Sequence, residues 1–194
     1  MMSLKGTRTA ENLLKAYAGE MQANGRYNQY ASIARKEGYV QIEKIFAETA
    51  CQEFEHAKLF YKYLNAELKG EALEITASFP IQIGNTAENL KAAAEGENEE
   101  WTDMYPSFRD IAREEGFEEI AVSFQEVSEV EETHETRYLK LLKNLEEGKV
   151  FKRDEEVKWY CQNCGYIHEG FEAPELCPAC KHAKSYFKLF CEDY

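Results

Sequence analysis

Glu53-Phe54-Glu55-His56 and Glu131-Glu132-Thr133-His134 place a carboxylate and an imidazole three residues apart, twice, at an offset of 78 positions. On a helix, residues i and i+3 share a face about one turn apart, so each pair can reach a single cavity. Two such helices supply two bridging carboxylates and one imidazole for each of two metals. A lone Glu-x-x-His in a Glu-rich helix is more often a solvated pair. The repetition is what points to metal chemistry.

The same offset aligns more than the ligands. Tyr27 matches Tyr105, Ile33 matches Ile111, Ala34-Arg35 matches Ala112-Arg113, Glu37-Gly38 matches Glu115-Gly116, Ile42 matches Ile120, and Phe46 matches Phe124. This is one helical hairpin written twice. Repeated core residues need only a repeated fold. A repeated Glu and His on the buried face need a charge that neutralises them, which a metal provides.

The helices that must position these residues are legible from periodicity. The first is expected from about Thr9 to Glu37, capped by Thr7 or Thr9 and stopped at Gly38. The second is expected from Val40 to Leu64, the third from Asn85-Thr86 to Glu115, and the fourth from Glu118 to Leu145. Between them, 65–85 holds Gly70, Ser78, Pro80 and Gly84 and reads as a long crossover. Two hairpins joined by one long connection form an all-α, ferritin-like four-helix bundle. The expected domains are 1–150 for the bundle and 151–194 for a small β-rich metal domain, with Gly148 to Arg153 as the linker.

A two-metal site in such a bundle takes ligands from all four helices. Glu20 lies two turns before Tyr27, and its counterpart at the repeat offset is Asn98. Ala18-Gly19-Glu20 aligns better with Glu95-Gly96-Glu97, at an offset of 77. One extra residue therefore lies between Glu97 and Tyr105, and a continuous helix absorbs it most simply as a π-bulge. Glu100, three residues after Glu97, can face the same cavity. The candidate ligands are Glu20, Glu53, His56, Glu97, Glu100, Glu131 and His134, an oxygen-rich set that favours iron or manganese. Tyr27 and Tyr105 either hold ligand carboxylates through their hydroxyls or are core aromatics with a polar tip.

A second metal site is written at Cys161-Gln162-Asn163-Cys164 and Cys177-Pro178-Ala179-Cys180. Four thiolates around one tetrahedral ion follow from this spacing, which zinc ribbons and iron–tetrathiolate centres share. Cys51 and Cys191 belong to neither pair and read as incidental thiols of the usually buried kind.

Composition sets outer bounds. A net charge of −13 argues against a nucleic-acid partner. No segment has the apolar length of a membrane span, and the start of the chain lacks a signal-peptide stretch, so a cytoplasmic location is expected. Cysteine pairs in a reducing compartment indicate metal rather than disulfides. No Gly-rich dinucleotide motif is present, so NADH binding by this chain is not expected.

Taken together, Phe46-Ala47-Glu48-Thr49-Ala50, Met104-Tyr105-Pro106-Ser107-Phe108, Ile111 to Gly116, Cys164-Gly165-Tyr166 and Ala173 to Cys180 resemble the rubrerythrins. The resemblance runs from about Ser3 to Phe187. It implies a ferritin-like diiron domain followed by a rubredoxin-like domain, with one Fe held by Cys161, Cys164, Cys177 and Cys180. It further implies that Glu53 and Glu131 bridge two Fe, that Glu20 binds one, and that Glu97 and His134 bind the other. Glu100 and His56 would alternate at the first iron, carboxylate when oxidised and imidazole when reduced.

The implied activity is reduction of hydrogen peroxide to water in oxidative stress protection. Reduced rubredoxin or an NAD(P)H-dependent flavoprotein would be the electron donor, and the assembly a homodimer or higher homo-oligomer. The alternatives are a ferroxidase or iron-handling protein, a dioxygen reductase, and a zinc-ribbon structural module on a helical bundle. Two departures stand out: Lys181 where a glycine usually follows the second knuckle, and a short loop between the knuckles.

Overall fold

The computed structural model describes residues 3–192. Met1, Met2, Asp193 and Tyr194, the outermost residues of the two expected domains, lie outside the described residues. Helix α1 spans Arg8–Lys36 and α2 spans Val40–Leu68. The third long helix is α3 (Thr86–Glu99), a π turn (Glu100–Met104) and α4 (Tyr105–Glu114) in sequence. Helix α5 covers Glu118–Glu146.

Local chemistry sets the ends of these helices. The Thr7 hydroxyl caps α1 by accepting from the Ala10 amide. Asn85 and Glu88 form a reciprocal capping box at the start of α3. Gly38 and Gly116, repeat mates, adopt φ of +88° and +81° and close both hairpins in the same way. The amides of Tyr39 and Phe117 return to the carbonyls of Ala34 and Ala112. The second helix runs four residues past its expected end because Leu68 is still buried against the core; the chain then turns at Gly70, φ +85°.

Packing is densest within each hairpin, α1 on α2 and α3–α4 on α5. Two aromatic clusters fill the bundle. One joins Tyr27, Tyr30, Phe46 and Tyr138; the other joins Phe60, Tyr105, Phe108 and Phe124. Every member has a repeat mate 78 positions away in the other cluster: Tyr27 with Tyr105, Tyr30 with Phe108, Phe46 with Phe124, and Phe60 with Tyr138. The duplication thus builds two equivalent apolar layers.

The crossover carries no regular structure over 71–84 and lies as a strap along α1. Gln22 Nε2 donates to the Pro80 carbonyl at 2.7 Å, and the Tyr30 hydroxyl donates to the Gln82 carbonyl at 2.8 Å.

The C-terminal unit is a three-stranded antiparallel sheet in the order β2-β1-β3. Its strands are β1 (Lys152–Cys161), β2 (Ile167–Glu172) and β3 (Phe187–Leu189), with Trp159 and Phe187 fully buried. It sits at the α1–α2 turn, where Phe151 stacks on Tyr39 and Ser185 approaches Gly38.

Candidate metal centres

Both repeats of Glu-x-x-His face the interior between the two aromatic layers. Glu53, Glu131, Glu20 and Glu97 are each at most 1% exposed, far below what a solvated carboxylate shows. Their atoms converge in two groups. One is Glu20, Glu53, His56 and Glu131; the other is Glu53, Glu97, Glu131 and His134. In each group the ligand atoms lie within 4.8 Å of one another.

Glu53 and Glu131 belong to both groups, and their oxygens divide between them. Glu53 turns Oε2 to His56 Nδ1 at 3.1 Å and Oε1 to His134 Nδ1 at 3.2 Å. Glu131 turns Oε1 to His56 Nδ1 at 3.0 Å and Oε2 to His134 Nδ1 at 2.7 Å. This is how two carboxylates bridge a pair of ions.

The donor set fits metals on its own chemistry. Glu20 Oε2, Glu53 Oε1, both oxygens of Glu131 and His134 Nδ1 are buried without a properly oriented hydrogen-bond partner. Left so, each would carry a desolvation cost of about 1–3 kcal/mol or more. Burial, reinforced by neighbouring carboxylates, pushes Glu20 and Glu97 well above the ordinary carboxylate range. Burial also pushes on Glu53, yet the close imidazoles of His134 and His56 outweigh it and bring its pKa to about 2. His56 moves the other way: burial opposes its charge, but Glu131 and Glu53 raise it to about 10. The two imidazoles are the only cations that touch these oxygens among the described residues, and divalent ions supply more charge in the same place.

Glu20 and Glu97 are each held from the opposite half of the repeat. The Tyr27 hydroxyl donates to Glu97 Oε1, and the Tyr105 hydroxyl donates to Glu20 Oε1. Both tyrosines are buried aromatics as well, so the two sequence readings hold together.

The histidines are not equivalent. His134 Nε2 lies 3.1 Å from Gln52 Oε1, which fixes the tautomer with Nδ1 free for a metal. Arg137 donates to the same Gln52 Oε1 at 3.5 Å and is itself held by Glu48 and Thr49. The repeat mate of Gln52 is Val130, which has no acceptor, and among the described residues His56 Nε2 has no hydrogen-bond partner.

Glu100 is absent from both convergent groups. It lines a cavity of about 200 Å³ under the strap, with Gln22, Arg26, Phe79, Met104 and Phe108. Arg26 there is only 7% exposed, its Nε donates to Gln22 Oε1, and its Nη1 is unpartnered. The extra residue before Tyr105 is absorbed as expected, in the π turn that begins at Glu100. Glu95 and Glu99 are exposed.

Sequence reasoning missed Arg26, Gln52 and Arg137. At the repeat offset these positions hold Met104, Val130 and Leu59, so the duplication carries no signal for them.

In the small domain, Cys161 Sγ lies 3.8 Å from Cys180 Sγ, and Cys164 Sγ lies 3.6 Å from Cys177 Sγ. The backbone amide of His182 lowers Cys180 to about 6. The Tyr166 amide favours the Cys164 thiolate, but the other thiols and burial override it and push Cys164 up to about 12. Four thiolates this close ionise together only around a cation. Cys51 and Cys191 are exposed rather than buried, and neither approaches a metal group.

A bundle with a carboxylate-bridged dinuclear cluster, joined to a tetrathiolate knuckle domain, defines a ferritin-like diiron protein with a rubredoxin-like appendage. The family model described as Rubrerythrin matches residues 11–142, and the model described as Rubrerythrin, rubredoxin-like domain matches residues 159–188. A rubrerythrin of Clostridium perfringens is 57% identical over 195 aligned positions, covering 100% of both chains. A rubrerythrin of Nitratidesulfovibrio vulgaris is 55% identical, covering 97% of both. The solved structure of fully reduced, all-ferrous nigerythrin superposes with a TM-score of 0.64 at 33% identity, covering 97% of this chain and 92% of that one. The chain belongs to the rubrerythrin family. Its cofactors are two iron ions in the carboxylate-bridged site and one in the four-cysteine site.

Proposed function

We propose that this protein is a peroxidase that reduces hydrogen peroxide to water, drawing two electrons and two protons for each O–O bond cleaved. The observation that carries this reading is the presence of both metal sites on one chain. Iron storage or ferroxidation needs the bundle site alone, whereas a tetrathiolate iron adds an electron entry. When bound, the bundle irons supply the two electrons that O–O cleavage consumes, and the tetrathiolate iron replaces them one at a time.

The chain's own residues do the rest. Glu53 and Glu131 fix the spacing of the pair, and Tyr27 and Tyr105 hold Glu97 and Glu20 in place. Their hydroxyl protons, on hydrogen bonds to those carboxylates, lie buried beside the site, where they can take part in proton movement. The cavity under the strap gives a small polar oxidant a way to the Glu100 side. His56 stands inside the convergent group and Glu100 outside it, the imidazole-in arrangement that the family resemblance associates with the reduced pair. His56 has the freedom for such an exchange because, among the described residues, its distal nitrogen has no hydrogen-bond partner, unlike that of His134.

The small domain is docked at the α1–α2 turn, and Glu53 lies fourteen residues along α2 from Tyr39, roughly 20 Å at the helical rise. That separation supports a homodimer in which a second copy brings its tetrathiolate closer to this bundle. An external rubredoxin or NAD(P)H-dependent flavoprotein would recharge it. Mixing subunits that lack Cys161 with subunits that lack Glu53 then restores part of the activity. Verified heterodimers without restoration would exclude the cross-subunit route.

The central test is anaerobic stopped-flow mixing of reduced, iron-loaded protein with hydrogen peroxide and, separately, with dioxygen. Faster return of the oxidised tetrathiolate colour with peroxide than with dioxygen, slowed in His56→Ala and Glu100→Ala, is the expected result. Dioxygen acting faster would make it an oxygen reductase. Iron oxidised and retained as mineral, with the tetrathiolate colour unchanged, would make it an iron-handling protein.

A further inference from the structure

The third long helix leaves α-helical register at one place. The Tyr105 amide donates to the carbonyl of Glu100, five residues back, and not to that of Trp101, four back. Trp101 therefore loses its α-helical donor. The residue that would serve it in the wider register is Pro106, which has no N–H. Neither register can satisfy the Trp101 carbonyl from the helix itself.

It is satisfied from α5. Ser128 Oγ donates to the Trp101 carbonyl at 3.2 Å, and Ser128 is buried. Two turns further along α5, Glu135 accepts from Trp101 Nε1 at 2.5 Å and from Asn98 Nδ2 at 3.1 and 3.2 Å. Trp101 is thus held at its main chain and its ring by one neighbouring helix. None of these residues belongs to the convergent metal groups.

The turn matters because of what it aligns. Glu20 and Tyr27 are seven residues apart, close to two whole turns. Glu97 and Tyr105 are eight apart, which in a regular α-helix would set them about 80° from a common direction. The wide turn removes that mismatch, so Glu97 and Tyr105 both face the cluster.

We propose that Ser128 and Glu135 are positioning residues for the metal site: they hold the π turn in the register that aims Glu97 and Tyr105 inward and sets Glu100 beside the pair. For Glu100 this rests on its reading as a metal ligand given above.

The test uses the full-length, iron-loaded protein and two readouts, hydrogen exchange of the 100–105 segment and ultraviolet absorption of the oxidised metal pair. Ser128→Ala is expected to raise exchange in this segment about tenfold, the order of one lost hydrogen bond, and to shift the absorption. Adding Pro106→Ala supplies the missing amide five residues after Trp101 and is expected to restore both. Ser128→Thr, which keeps the hydroxyl, is expected to behave as the parent and covers the case in which Ser128→Ala does not fold.

An unchanged Ser128→Ala protein overturns the proposal. So does a Ser128→Ala defect that Pro106→Ala leaves untouched, because packing would then be the cause. Glu100→Gln separates the two readings: if it alters neither metal content nor absorption while Ser128→Ala still loosens the turn, Glu100 is not a ligand and the clamp stands.

Discussion

The Tyr27 hydroxyl on α1 donates to Glu97 on α3, a residue 70 positions away in the other half of the duplicated hairpin. Tyr105 returns the interaction to Glu20. Each hairpin thereby orients a carboxylate of its twin, and neither half of the site is complete alone.

Removing either hydroxyl leaves a buried carboxylate short of its donor. Tyr27→Phe and Tyr105→Phe are each expected to weaken iron binding by about 10–100-fold, measured by anaerobic ferrous titration of metal-free protein. Tyr30→Phe is the control, since its hydroxyl serves the strap at Gln82 and not a ligand. Equal losses in all three would show that aromatic packing, and not ligand orientation, is being measured.

Gln52 is expected to decide the behaviour of His134. Gln52→Leu removes the acceptor for Nε2, and metal affinity is expected to fall by about 10–100-fold. Gln52→Glu strengthens the acceptor, makes the ring more basic, and is expected to lower the reduction potential of the bundle pair in a spectroelectrochemical titration. A potential that moves the same way in both variants would refute the assignment.

Lys181 occupies the left-handed region at φ +61°, where its counterpart in the first knuckle is Gly165 at +81°. Both amides close the same turn, to Cys177 and Cys161 at 2.9 Å. A side chain there costs about 1–2 kcal/mol, part of which glycine's own flexibility would give back. Lys181→Gly is therefore expected to raise by about 1 kcal/mol the guanidinium resistance of the tetrathiolate colour. Resistance that stays level or falls would mean that the Lys181 Nζ contact to the Pro178 carbonyl outweighs the strain.

Removing the metals is expected to invert the pH dependence of stability. In metal-free protein, burial opposes the charge on both imidazoles, but Glu131 and Glu53 raise His56 to about 10 and His134 to about 9, from an ordinary 6.5. Their stabilisation is full below pH 6.5 and is lost as pH rises through 9 to 10. Glu20, Glu97 and Glu100, raised by burial above 4.5, act in the same direction. Glu53, lowered to about 2, adds stability above pH 4.5 that is lost as pH falls toward 2. Metal-free protein should melt highest near pH 4.5 and lower at pH 9, while the loaded protein gains from pH 6 to 9 as metal binding displaces fewer protons. Equal melting of metal-free protein at pH 6 and 9 would rule out the imidazoles as its counter-charges.

What could be read beforehand was whatever repeats. The twin Glu-x-x-His pairs, the shared Gly38 and Gly116 caps and the two knuckles each carry their signal in spacing. Glu97 was recoverable because Ala18-Gly19-Glu20 and Glu95-Gly96-Glu97 align one residue out of step, and the same slip located the wide turn. Asn98, which the strict offset pairs with Glu20, instead reaches Glu135. Contacts such as Gln52 to His134 and Ser128 to the Trp101 carbonyl leave no such trace, since each joins one side chain to a group 82 or 27 residues away. The end of α2 was misjudged because continued burial of Leu68, not a local stop signal, extends the helix.

Gln52 opposite Val130 has a consequence for the electrons as well as for the histidines. A perfectly duplicated hairpin would make the two iron positions interchangeable, and a pair holding one extra electron would have no reason to prefer either ion. With one imidazole anchored and the other free at its far nitrogen, a bound pair holding one extra electron would be electronically lopsided, and one-electron deliveries would fill the two positions in a set order.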